Sequence, residues 1–193
     1  MRKGLLFVPM MILLLASCAG GTGMSEAEEL ALTMRGEYLA MTGCTTKAAI
    51  TADYGQRVYD FELTAAVAGE KTTMTLTAPE EVAGMTAYVE GKDGALEYDG
   101  VWVETGPLDD SGSTPISALP ALLETARSGY MTACSLEEDG LLRVDCGDPE
   151  GIPGTGVEYT LWFDPETHAL RRGEVRADGM RTILCEFTDF CIG

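Results

Sequence analysis

The chain has 193 residues and carries 31 acidic against 13 basic side chains, which gives a formal net charge of −18 at pH 7. A surface of this sign repels phosphate backbones, so the composition excludes nucleic acid as a partner. The length suits one domain with its own hydrophobic core.

The first residues have the three parts of a secretory signal. Arg2 and Lys3 form a basic start, and an apolar run of about a dozen residues follows at 4–15. This run is shorter than the roughly 20 residues that a membrane-spanning helix needs. It ends in Leu-Ala-Ser-Cys at positions 15–18, which resembles the lipobox of bacterial lipoproteins.

That resemblance implies a signal peptide at 1–17, cleavage before Cys18 and acylation of this cysteine. Residues 18–24 are then the acylated cysteine with a flexible, Gly-rich tether, and residues 25–193 are the folded domain. Two or more acyl chains hold a protein stably on a membrane. We therefore expect a lipid anchor on the extracytoplasmic face of the cell membrane. The alternative is an ordinary signal peptide with a chance cysteine.

A capping box at Ser25–Glu28 predicts the start of a helix. Apolar residues then recur at three- and four-residue spacing as far as Met41, and Gly43 is expected to end the helix in a left-handed conformation. The methionine and aromatic side chains of this helix, Met34 and Tyr38 among them, either line a ligand groove or pack on a sheet.

The period then changes to two, which is typical of strands with one buried face. Apolar side chains alternate with polar ones over 58–67, 71–78 and 85–89. Asp-Gly pairs at 93–94, 99–100, 139–140 and 178–179 separate strand-like runs as tight hairpins do. The pattern predicts an antiparallel β-meander.

A helical insert interrupts the meander between Thr114-Pro115 and Ser128-Gly129, with an apolar stripe that includes Leu122 and Leu123. Pro120 is expected to break the insert into a short and a longer helix. Strands resume at 141–144, 157–163, 170–176 and 180–187.

Cysteines other than Cys18 are odd in number, so at least one is free or pairs between chains. They are Cys44, Cys134, Cys146, Cys185 and Cys191. Cys134 and Cys146 flank the hairpin predicted at 139–140, and an in-register pairing would bring them together as a disulfide, whereas a slipped register would separate them.

Motifs for catalysis are missing from the sequence. It contains no Gly-x-Ser-x-Gly, Ser-x-x-Lys, phosphate-loop or His-Glu-x-x-His pattern, and its one histidine, His168, lies in a predicted turn. Without a Cys-x-x-Cys motif or a second histidine, we expect no metal site and no cofactor. One alternative is a glycosidase, in which the acidic pairs at 109–110 or 137–138 would supply the two catalytic carboxylates. Another is weak Ca²⁺ binding by the acidic side chains at 145–150.

The order helix, meander, helical insert, meander resembles the Lol-type lipoprotein carriers and their receptors. The resemblance is closer to the Lol-like lipoproteins of Gram-positive bacteria, the group that includes a clostridial spore-germination lipoprotein. The stretches that carry this resemblance are 51–61, 77–84, 98–100, 114–130 and 161–187. It implies an α+β, mainly antiparallel fold: a half-open β-barrel whose concave face is covered by the N-terminal helix and the helical insert.

Residue spacing predicts which side chains face that concavity. The predicted ligand-binding residues are Met34, Tyr38, Tyr59, Phe61, Leu63, Met74, Leu76, Leu122 and Leu123. Two non-catalytic functions follow. The concavity binds an acyl chain, a lipid or a lipoprotein, or it is filled by its own side chains and the protein docks a cell-envelope or spore-cortex protein. A dry cavity of several hundred Å³ would favour the first.

Overall fold

A computed structural model describes residues 24–193. The predicted signal peptide, Cys18 and the tether up to residue 23 lie outside the described residues. Within this range no helix is both long enough and apolar enough to span a membrane.

This part of the chain forms two α-helices, eleven strands and one 3-10 turn at Glu80–Val82. The helices are α1 (Glu26–Ala40) and α2 (Pro115–Ser128). The strands are β1 (Gly43–Asp53), β2 (Val58–Ala68), β3 (Lys71–Ala78), β4 (Thr86–Glu90), β5 (Asp93–Tyr98), β6 (Val101–Pro107), β7 (Met131–Leu136), β8 (Leu142–Cys146), β9 (Val157–Phe163), β10 (Leu170–Ala177) and β11 (Met180–Ile192).

All the described strands belong to one antiparallel sheet in the order β6-β5-β4-β3-β2-β1-β11-β10-β9-β8-β7. Two meanders, β1–β6 and β7–β11, meet where β1 pairs with β11. The sheet does not close on itself, because β6 and β7 are its two ends. Both helices pack on its inner face. The predicted mainly antiparallel, half-open barrel with two helices over its concave face is confirmed.

The central strand β1 is the element that the sequence pattern did not predict. Its side chains alternate strictly between buried and exposed, but the buried ones are mostly small, such as Ala48 and Ala52. Small residues carry little of the hydrophobic contrast on which period-two counting depends. They suit this position because α2 crosses directly over β1.

Helix α1 begins as predicted and ends differently. The Ser25 hydroxyl accepts from the Glu28 backbone N–H, and the Glu28 carboxylate accepts from the Ser25 N–H, so both halves of the capping box are formed. The expected left-handed glycine cap at Gly43 is wrong. The helix ends at Ala40, and Gly43 starts β1, where a side chain would lie 2.5 Å from the Val67 carbonyl oxygen.

Helix α2 runs unbroken through Pro120, contrary to the predicted division into two helices. A proline here removes the backbone hydrogen bond to the carbonyl of Ile116 and no other. The helix stays continuous because its apolar side chains, among them Leu119, Leu122 and Leu123, are almost completely buried against the sheet. Tertiary packing of an apolar face outweighs a local propensity.

The contact between α2 and β10 is unusually close. A side-chain carbon at Gly173 would lie 2.6 Å from the Leu122 Cδ1 atom, so only glycine allows this approach. Leu122 itself is fully buried.

We expect Leu122→Ala to lower the free energy of unfolding by about 2–5 kcal/mol, because it leaves a cavity at the tightest point of the core. Leu39→Ala is the matched control, since Leu39 on α1 is 61% exposed; we expect a change within about 0.5 kcal/mol. Urea unfolding followed by circular dichroism measures both. Equal losses in the two variants would contradict the packing described for Leu122.

The predicted Cys134–Cys146 disulfide is not formed. Cys134 lies opposite Val144 on β8, while Cys146 lies opposite Met131, so the hairpin register is offset from the one that the disulfide requires. Both cysteines are free thiols, as are Cys44, Cys185 and Cys191. The offset arises because the turn is not centred between the two cysteines and β7 carries a bulge between Met131 and Ala133.

The thiols should therefore react in order of exposure. Cys191 is exposed, whereas burial raises the pKa of Cys44 and of Cys146 to about 11. With a thiol reagent at pH 8 we expect Cys191 to be modified first, then Cys134, and the other three only after urea unfolding. Peptide mass spectrometry reads out the order, and a bridged Cys134–Cys146 peptide from untreated protein would contradict it.

Candidate functional site

The nine predicted ligand-binding residues divide into two groups in the structure. Six of them are buried in the hydrophobic core: Met34, Tyr38, Leu63, Met74, Leu122 and Leu123. The other three, Tyr59, Phe61 and Leu76, are partly or largely exposed. All nine belong to the inner side of the sheet or to the helices over it, as period counting predicted, but they do not line one cavity.

Under α1 the concavity is closed. The space between α1, α2 and strands β7–β9 has a volume of about 10 Å³, which is the volume of about one water molecule. The Tyr38 ring packs edge-on to Phe163 at 5.3 Å and stacks with Phe190 at 6.1 Å. This half of the barrel is a packed core and has no room for a lipid.

On the other side of α2 a cleft remains open. It has a volume of about 400 Å³ and lies between α2 and the inner surface of β2–β4, within the range of about 300–1,000 Å³ for ligand pockets. Its apolar lining comes from Val67, Val89, Leu108 and Leu123. This volume is one part of the concavity that the protein does not fill with its own side chains.

The segment between β6 and α2 forms one wall of the cleft. The Leu108 backbone N–H donates to the Lys92 carbonyl at 2.8 Å, and the Lys92 ammonium pairs with the Asp110 carboxylate. Asp109 accepts from the backbone N–H and the hydroxyl of Ser111, and these hydrogen bonds hold the pKa of Asp109 below its ordinary value. Both carboxylates therefore have structural partners in this wall, which argues against a glycosidase pair.

Charges surround the cleft opening. The carboxylates are those of Glu70, Asp109, Asp110 and Glu124, and the cations are Lys92 and Arg127. Arg127 is largely buried and donates from Nε to the Tyr38 carbonyl at 3.2 Å, so it also ties α2 to α1. Four carboxylates against two cations give the rim a net negative charge.

The remaining three predicted residues lie on the part of the inner face that α2 leaves uncovered. Tyr59 stacks on Phe61 along β2, and Leu76 lies on the neighbouring strand. By strand register the same face continues to Tyr98 and Val101 at the open end of the sheet, both of which are exposed. This apolar surface borders open solvent and has no cover in residues 24–193.

The other side chains considered for catalysis or metal binding form hydrogen bonds or ion pairs within the fold. The Glu137 carboxylate accepts from the Trp162 Nε1 at 2.9 Å, and His168 Nδ1 lies 2.7 Å from the Glu37 carboxylate. Asp145 accepts from Arg143 and from the Thr160 hydroxyl. Among the described residues no three His, Cys, Asp or Glu side chains are grouped so that they could hold a metal ion. The arrangement suits binding of an apolar or amphipathic molecule.

Of the nine predicted residues, only Leu123 lines the cleft. Val67 and Val89 lie in the predicted strands 58–67 and 85–89 and follow the same period-two pattern, but they were not among the predicted ligand-binding residues. Leu108 comes from an irregular segment with no periodicity. The pattern indicates which face a residue lies on, and it does not indicate where a helix stops covering that face.

No family model and no curated protein matches this sequence. Among solved structures, a DUF1329 family protein from Desulfovibrio piger is similar at 12% identity over 86% of this chain and 91% of that chain, with a TM-score of 0.47. A LolA superfamily protein from Nitrosomonas europaea is similar at 11% identity, over 88% and 94% of the chains, with a TM-score of 0.44.

A chain of the Clostridioides difficile complex of the CwlD amidase with the GerS lipoprotein is 15% identical over 88% of this chain and 97% of that chain, with a TM-score of 0.45. Proteins of the LolA superfamily and lipoproteins are thus among the structures to which this chain is similar.

Proposed function

We propose that this protein is a lipoprotein, anchored through Cys18 on the extracytoplasmic face of the cell membrane, that binds an acyl chain or lipid without catalysis. The observation that carries the proposal is the open cleft of about 400 Å³ between α2 and strands β2–β4. It is partly apolar, it opens to solvent, and it lies beside a core that is packed elsewhere.

Energetics set a requirement on the ligand. Each buried methylene contributes about 0.8 kcal/mol, so ten of them contribute about 8 kcal/mol, while association costs about 4 kcal/mol or more. An acyl chain of that length alone would therefore bind weakly, and contacts of the headgroup with the rim have to add affinity. Because the rim is net negative, it favours a neutral or cationic headgroup over a bare carboxylate or phosphate.

The tether limits where binding takes place. Residues 19–24 span at most roughly 20 Å when extended, so the anchored domain stays close to the bilayer. Such a protein cannot carry cargo across a compartment. A receptor or local-binding role therefore fits better than shuttling.

Cys18→Ser should abolish acylation and move the protein from the membrane fraction to the soluble fraction, because the acyl chains are the proposed attachment. Fractionation followed by mass spectrometry of the N-terminal peptide measures this. Continued sedimentation of the variant with membranes in high salt would contradict the anchor.

Glu124→Trp should block the cleft, since Glu124 lines it from an exposed position on α2. The probe is a pyrene-labelled monoacylglycerol, titrated into soluble protein on the Cys18→Ser background. We expect at least a tenfold loss of affinity. The matched control is Glu29→Trp on the exposed side of α1, which makes the same change of charge and size away from the cleft.

Two outcomes would count against the lipid proposal. Equal affinity in Glu124→Trp and Glu29→Trp would place lipid binding outside the cleft. Absence of any binding by the parent protein, together with no lipid in mass spectrometry of the purified chain, would reject lipid binding altogether.

A second function, docking of a cell-envelope or spore-cortex protein, is favoured by a separate observation. On the end strand β6, Val101 and Val103 extend the uncovered inner face that also carries Tyr98, and both are more than half exposed. Contiguous exposed apolar surface marks interaction sites more often than scattered single residues do.

A further inference from the structure

Strand β6 is the end strand of the sheet on the β1–β6 side. All of its residues are exposed, with Val101 at 62%, Trp102 at 55% and Val103 at 53%. Sheet edges are usually protected by lysine, proline or very short strands. Pro107 and the bulge opposite Gly94 and Ala95 protect the far end of β6. The stretch 101–104 has neither lysine nor proline, so the open part of the edge is 101–104.

The turn before β6 determines which backbone groups are free. Asp99 and Gly100 form a two-residue turn with positive φ values of 51° and 75°, so Tyr98 and Val101 form the first hydrogen-bonded pair. Because bonded and non-bonded pairs alternate, Val103 also bonds to β5. The N–H and C=O groups of Trp102 therefore point away from the sheet, and so does the N–H of Glu104.

A pocket of about 510 Å³ adjoins this open edge. Trp102 and Glu104 of β6 line it together with Tyr88 of β4, whose ring centre lies 4.9 Å from that of Trp102. The Tyr88 hydroxyl donates to the Glu97 carboxylate at 3.0 Å, which fixes the aromatic pair in place. Gly94 and Gly106 also line it.

The pocket is negatively charged. Its carboxylates are those of Glu90, Asp93 and Glu104, and its only cation among the described lining residues is Lys71, which pairs with Glu90 at 3.2 Å. Asp93 and Glu104 form no ion pair in residues 24–193. Carboxylates beside the face of a tryptophan favour an ammonium or guanidinium group.

We propose that β6 pairs with an extended segment of a partner protein and that a Lys or Arg side chain of this segment occupies the pocket beside Trp102. This is strand addition, in which main-chain hydrogen bonds supply affinity and a pocket for alternate side chains supplies specificity. Since side chains alternate, the neighbouring residues of the segment contact Val101 and Val103 and are apolar. The inference rests on the docking function and names the chemistry of the partner.

The test uses the full acylated chain in detergent micelles and two labelled peptides, Thr-Val-Lys-Val-Lys-Val-Thr and the same peptide with Glu in place of Lys. Fluorescence anisotropy should show at least tenfold tighter binding of the lysine peptide. Glu104→Lys should reduce this preference at least tenfold, because it reverses one charge of the pocket.

Edge pairing is tested with proline. Glu104→Pro removes an outward-pointing N–H without breaking a bond to β5, and we expect it to abolish binding of both peptides. Leu136→Pro on β7, at the opposite end of the sheet, is the control and should leave binding unchanged. Trp102→Phe is a milder variant, which should weaken the lysine peptide while the circular dichroism spectrum stays the same.

Several results would overturn the inference. Equal affinity for the two peptides would exclude binding of a basic side chain in the pocket. If Leu136→Pro lowered peptide binding as much as Glu104→Pro, strand pairing at β6 would be excluded. A dimer of the parent protein that Glu104→Pro converts to a monomer would make a second copy of this chain the occupant.

The docking function itself is tested separately. A photo-cross-linking amino acid is placed at position 101 or at position 136 in living cells. A cross-linked partner from position 136 alone would support docking of a partner protein but reject β6 as the docking site. The absence of a cross-linked partner at both positions would count against the docking function as well as against β6.

Discussion

The close approach of α2 to β10 is the contact on which the shape of the concavity depends. Gly173 allows the Leu122 side chain to lie where a β-carbon would otherwise be, and a second glycine, Gly112, lies as close to Ala121. The Gly173 contact fixes α2 against β10, and the same helix also contacts β4, β1, β11 and β9. One helix does not fill the space over the whole inner face. The space beside α2 and against β2–β4 is left open as the cleft.

The closed half is secured by polar contacts as well as by packing. The Tyr38 hydroxyl donates to the His168 carbonyl at 3.1 Å, and burial raises the pKa of Tyr38 far above its ordinary value. Arg35 of α1 donates a hydrogen bond to the Gly129 carbonyl just after α2, and Arg127 of α2 donates one to the Tyr38 carbonyl in α1. Opening this half for a ligand would leave these buried donors and acceptors unpaired, at about 1–3 kcal/mol each. A ligand meets less resistance in the cleft, which needs no such opening.

Much of the fold could be predicted because β2, β3 and both helices have strong hydrophobic contrast along the chain, and because the capping boxes are local signals. The position of the site could not. Leu63 and Met74 lie on the predicted face, yet whether such residues face a ligand or a packed core depends on where α2 lies. Its closest contact is with Gly173, which is 99 residues beyond Met74 in the sequence. Register is likewise hard to read from the sequence: the exact position of the turn places Cys134 opposite Val144, and a bulge further along β7 places Cys146 opposite Met131.

Charge relates the two proposed sites to the membrane. The chain carries −18 at pH 7, and its repulsion by an anionic leaflet is largely screened beyond about 8 Å at physiological ionic strength. With the proposed anchor at Cys18, a tether of up to roughly 20 Å would let the domain lie beyond that distance. The rim of the cleft and the pocket beside β6 are both negative, so neither is attracted to anionic headgroups. In the proposed anchored state both would stay accessible, the cleft to the proposed neutral or cationic lipid and β6 to the proposed basic segment of a partner.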